Sequence, residues 1–86
     1  MITKKDHYAE WALLLYELDD AKEHLDTLVR EMTESADFAE EDFRIQLGHI
    51  YSHLNRAWST RDRKGTEHTQ EQFDEASRFP QDIDPI

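Results

Sequence analysis

The chain has no cysteine, two glycines and two prolines among its 86 residues. Without cysteine there is no disulfide, no thiolate metal site and no nucleophilic thiol. With Gly48 and Gly65 as the only glycines, a glycine-rich loop that cradles phosphate is nearly excluded. Both prolines, Pro80 and Pro85, fall near the end of the sequence, so no proline interrupts a helix before them. Long apolar runs are also missing. The stretch from Trp11 to Leu18 is broken by Glu17 and is too short to span a bilayer. No small-residue cleavage site follows it, so the expectation is a soluble cytoplasmic protein without a secretory signal.

Basic residues are scarce. Ten Lys and Arg stand against twenty Asp and Glu, for a net charge of −10. The excess acid lies in residues 1–34, with nine acids and four bases, and in residues 66–86, with six acids and one base. Phosphate contacts dominate nucleic-acid affinity and would be repulsive on such a surface, so no nucleic-acid partner is expected. A chain of this length buries little apolar surface by itself, and with disulfides excluded the usual supplement is a metal or a second subunit.

Two amphipathic helical runs account for most of the sequence, over residues 4–33 and 38–64. In the first, Thr3 followed by Asp6 resembles a capping box. Tyr8, Trp11, Leu15, Leu18, Leu25, Val29 and Met32 then recur at steps of three and four, interrupted only by Lys22. Leu14, Ala21 and Leu28 widen that stripe on one side. The connection from Met32 to Asp37 is short enough to send the second helix back antiparallel. Asp37 is the expected N-cap, and Glu40, Glu41 and Asp42 complement the positive helix end. Phe43, Leu47, Ile50, Leu54 and Ala57 line the second helix, beside Tyr51 and Trp58. Arg61, Arg63, Lys64 and then Gly65 mark its end. Residues 1–65 therefore read as an all-α, antiparallel helical hairpin. Residues 66–86 form an acidic tail in which Thr69 and Gln72 cap a short helix over 70–79, expected to pack against the basic end of the hairpin.

The hairpin has more apolar surface than two helices can cover. Ala9, Leu13 and Tyr16 fall outside the stripe of the first helix, as does Ile45 on the second, while Gly48 leaves room for another backbone. These five residues are the expected interaction surface. Lys4, Lys5, Arg61, Arg63 and Lys64 collect at the open end, and Glu31, Glu34, Asp37, Glu40, Glu41 and Asp42 at the loop end. Two copies packed with opposite ends together would therefore form a homodimeric four-helix bundle.

Motifs for chemistry are sparse. His49 and His53, at i and i+4, have the spacing of a two-imidazole chelate. Further ligands would have to come from Asp20, Glu23 or His24 on the facing helix, but His49 lies off the apolar register and no Glu-x-x-His pair of the di-iron kind is present, so no metal and no other cofactor is expected. Arg44 and His49 share the Arg-x4-His spacing of the helical HEPN ribonucleases. In that family the residue after the Arg is usually polar; here it is Ile45, and no activity is carried over. Glu31 with Glu34, and Glu71 with Asp74, resemble the carboxylate pairs by which helical nucleotide pyrophosphohydrolases hold Mg²⁺, but they lie at a helix end and in the tail, where rigid placement is lacking. Arg56, Trp58, Arg61, Arg63 and Lys64 make the one basic patch that contains an aromatic, which suits a helix C-terminus. No catalytic residues are assigned. The reading is a non-enzymatic interaction or adaptor module with itself or another protein as partner. An acidic inhibitor that blocks a basic site is the alternative, and a metal-dependent helical enzyme is a more distant one.

Overall fold

The computed structural model describes residues 1–86 and contains three helices and no strand: α1 (Tyr8–Glu34), α2 (Glu40–Ser59) and α3 (Gln70–Ala76). The first two are long, antiparallel and packed along their length, so the hairpin is present. Its boundaries are tighter than the periodicity alone suggests. The Thr3 Oγ1 does accept from the Asp6 N–H at 3.1 Å, but this closes a turn at residues 4–6, and the helix begins at Tyr8. At the second start the cap is Ala39, whose N–H donates to the Asp42 carboxylate at 3.4 Å. Asp37 lies outside the helix because Phe38 turns inward to pack on the core first.

α2 ends at Ser59, and the basic residues Arg61, Arg63 and Lys64 lie beyond it. Gly65 has φ +95°, a region that L side chains rarely adopt, and its N–H donates to the Glu10 carboxylate at 3.0 Å. That bond holds the Glu10 carboxyl below the usual glutamate range and ties the turn to α1. α3 starts with the reciprocal Thr69 and Gln72 capping box and is shorter than expected, ending at Ala76.

The packing corrects one expectation. The seam of α1 is Leu14, Ala21 and Leu28, while Leu15, Leu18, Leu25, Val29 and Met32 remain 42–57% exposed. A helix meets a single neighbour along a narrow line, and residues seven apart stay on that line. Leu14 packs with Ile2 and Ala57, with Trp11 beside them. Ala21 and Leu28 pack with Ile50, flanked by Phe38 and Leu47. Only 10 of the 86 residues are buried.

Candidate functional site

Three groups on the hairpin have the makings of a site: a polar network, a cavity beside it and an unpartnered apolar face. The network begins at Glu17, in the middle of α1. Its Oε1 accepts from Arg56 Nε at 2.9 Å, and its Oε2 lies 2.8 Å from His53 Nδ1. An ionised carboxylate only accepts, so His53 carries a proton on Nδ1, and in the neutral ring Nε2 is then the lone-pair nitrogen. Arg56 also lies 3.0 Å from that Nδ1, where no lone pair remains to receive it. Its remaining hydrogen bond runs to the tail, from NH1 to Ser77 Oγ at 2.9 Å, and its guanidinium stacks over the Phe73 ring at 4.3 Å. Asn55 donates to the Ser77 carbonyl at 2.9 Å. His53, Asn55 and Arg56 are all buried, and each holds at least one side-chain hydrogen bond within the chain.

His53 also anchors a cluster of three imidazoles. His49 Nε2 lies 3.3 Å from His53 Nε2, and the His24 ring packs edge-on to His49 at 4.4 Å and stacks on His53 at 5.3 Å. These are the residues whose donor atoms converge as metal ligands would. Burial, together with the neighbouring His24, His53 and Arg56, lowers the His49 pKa, against an opposing pull from Asp20, so this imidazole is neutral at pH 7. The expectation that His49 points away from the candidate ligands of the facing helix is corrected for His24, whose ring meets it. Facing positions in an antiparallel pair have a nearly constant sum of residue numbers, here about 74 as set by Glu34 and Glu40, which brings His24 opposite His49. That arithmetic was available in the sequence once the turn was placed.

Of the expected interaction surface, Ala9, Leu13, Tyr16, Ile45 and Gly48 are all exposed. Leu13 and Tyr16 line a cavity of about 210 Å³, together with Glu17, Arg56, His68 and Phe73. The tail thus walls in part of this surface. Gly48 has nothing within 4 Å of where a Cβ would stand, so no backbone of this chain makes use of it.

Comparison with protein-family models, with curated proteins and with solved structures returned no match. The geometry alone therefore carries the functional argument. No helix is long and apolar enough to cross a membrane.

The apolar face follows from helix geometry. Around α1, at 100° per residue, Glu17 and His24 fall on one side of the Leu14, Ala21 and Leu28 line. Leu15, Leu18, Leu25, Val29 and Met32 fall on the other. Around α2, His49, His53 and Arg56 lie on one side of Ile50 and Ala57; Phe43, Leu47, Tyr51 and Leu54 lie on the other. Because Glu17 and His24 touch His53, the two polar sides coincide. The two apolar sides must then share the opposite face of the hairpin. Only its margin is covered, where Phe79 packs on Tyr51 at 5.0 Å.

The tail's last anchor is Asp82. It accepts from the Trp58 indole at 2.8 Å and from Arg61 at 3.2 Å, and Arg61 stacks on the same indole at 3.8 Å. The indole hydrogen bond, with help from Arg61, holds the Asp82 carboxyl below its usual value of 3.8. A depressed carboxylate stabilises the docked tail above that usual value, and the contribution is lost as pH falls through the lower folded-state value. The Trp58 indole N–H resonance should therefore shift and lose exchange protection on acidification into the range below about pH 4, while that of Trp11 does not. Asp82→Asn should shift the Trp58 signal in the same direction at neutral pH. An unchanged Trp58 signal in both experiments would show that the contact does not hold the tail.

Proposed function

We propose that this chain is a non-enzymatic interaction module that works as a homodimer, two hairpins pairing their apolar faces into a four-helix bundle. The observation that supports it is surface. The chain exposes 6874 Å², whereas a compact monomer of its 10.3 kDa exposes about 5,400 Å². The excess of about 1,500 Å² is of the size that each chain of an obligate homodimer buries. The radius of gyration of 14.9 Å, against about 12 Å for a compact domain of this length, points the same way. Seven apolar residues form the whole buried core, and none of them is less than 2% exposed.

Charge selects the second copy and its direction. Lys4, Lys5, Arg63 and Lys64 at the open end take part in no ion pair within the chain, and the loop end is acidic. Opposite-end packing places these against each other, and same-end packing opposes like charges. Face-to-face packing with opposite ends together needs a two-fold axis across the helices, which lays α1 over its own copy. Leu25, near the middle of the exposed stripe, then meets Leu25 of the second copy. Met32 stands about 20 Å from its own counterpart at 1.5 Å per residue.

The absence of cysteine makes the test clean. A single Leu25→Cys variant should be captured as a covalent dimer by a short bismaleimide, and a Met32→Cys variant should not. Efficient capture at Met32 and none at Leu25 would rule out this arrangement. High salt should leave the yield at Leu25 nearly unchanged, because an apolar interface is little screened, whereas an inhibitor that works through its acidic surface would release its target.

A further inference from the structure

The strongest unassigned feature lies on the face opposite the dimer surface. We propose that His24, His49 and His53 form a binding site for one divalent transition-metal ion of the Zn²⁺ class, which fastens α1 to α2 at mid-length.

Four features of the cluster carry this. First, the ligand spacing fits. A tetrahedral ion with metal–nitrogen bonds of about 2.05 Å has ligand–ligand edges of about 3.3 Å. The His49 and His53 Nε2 atoms are 3.3 Å apart, and the donor atoms of all three imidazoles lie within 4.8 Å of one another. Two of the three positions already match, and the third needs a side-chain adjustment at His24, which is exposed and free to turn.

Second, the protonation is right. A metal-bound histidine usually donates its other ring N–H to a carboxylate, which fixes the ring and raises its basicity. Glu17 receives that bond from His53 Nδ1 at 2.8 Å, and Glu17 is itself locked by Arg56 at 2.9 Å. Arg56 is in turn held by Ser77. The lone pair of His53 is therefore directed from a buried, braced ring toward His49. Without a cation, the two facing nitrogens can share only one hydrogen between them.

Third, the ligands come from two helices. His49 and His53 are one turn apart on α2, and His24 reaches across from α1, so an ion held by all three crosslinks the hairpin. A hairpin with so small a buried core has use for such a tie. Fourth, the site is accessible. His24 and His49 are exposed, leaving a path of entry and a fourth coordination position for water. The chain's charge of −10 favours cations overall.

The test is titration of chelator-stripped full chain with Zn²⁺, followed by calorimetry, and with Co²⁺, followed by its visible spectrum. One ion per chain should bind at micromolar concentration or below, raise the unfolding temperature, and give Co²⁺ the intense visible bands of a four-coordinate site. His24→Ala and His49→Ala replace exposed side chains, so both variants should keep wild-type helicity and lose about 100-fold or more in affinity. Glu17→Gln, which removes the carboxylate that orients His53, should weaken binding by about 10- to 100-fold. The proposal is overturned if the stripped protein takes up neither ion stoichiometrically at about 100 µM, or if affinity is unchanged in both His24→Ala and His49→Ala. Dimer mass measured on the same samples keeps the two readings separate, since the histidines and the dimer surface lie on opposite faces.

Discussion

Replacing Leu25 and Val29 together by glutamate should convert the proposed dimer to a monomer and lower its unfolding temperature. Both side chains are about half exposed in the single chain, at 47% and 57%, so the substitutions remove little from the fold of one hairpin. In a two-fold interface each substitution is present twice. Every glutamate gives up burial of an apolar side chain worth about 2 kcal/mol and must also be desolvated. Even at about 1 kcal/mol per site, the four sites of the dimer weaken association by about a thousandfold. Sedimentation velocity and thermal unfolding as a function of concentration check this. The wild-type midpoint should rise with concentration, and that of the double variant should not. An unchanged sedimentation coefficient in the variant would place the contact elsewhere, with Leu13 and Tyr16 the next residues to replace.

Arg56→Ala should be the most damaging single substitution in the chain. It leaves Glu17 only partly solvated, with one partner lost, and strips the tail of its contacts to Ser77 and Phe73. Breaking one side of a buried ion pair costs about 3–5 kcal/mol, and the 23% exposure of Glu17 places the expected loss near the lower end of that range. That is a large part of the total stability of a small domain. Substituting both partners, as Glu17→Leu with Arg56→Leu, should recover much of the loss, because no unpaired charge is then left in the interface. Urea unfolding of the single variants Glu17→Leu and Arg56→Leu together with the double closes the cycle. If Arg56→Ala unfolds at the wild-type urea midpoint, the network is decorative.

The helices, their antiparallel order and the Thr69 cap could all be read from local patterns of spacing and capping residues, whereas Gly65, read as the residue that ends α2, sits in the turn beyond it. What was not legible depended on how one helix meets the other. The apolar arc of α1 is continuous from Leu14 to Leu15 and on through Leu18 and Leu25, and periodicity cannot say which edge of such an arc becomes the seam. The broader edge looked like the core, yet the narrow line of Leu14, Ala21 and Leu28 took that place. His24, a candidate further ligand on the facing helix together with Asp20 and Glu23, was set aside for a related reason. His49 looks unpartnered when α2 is considered alone, and only the axial alignment set by the Ser35–Ala39 turn brings a third imidazole across from α1. The pairing of Glu17 with Arg56 hides in the same way, since on α1 alone a glutamate within an apolar run reads as a solvated break.

The central claim, that two hairpins cover each other's apolar face, is tested most directly by the mass of the protein in solution. Sedimentation equilibrium over about 5–100 µM should fit a species of twice the 10.3 kDa chain mass, with dissociation appearing only at the lowest concentrations. A single species at 10.3 kDa throughout that range would contradict it.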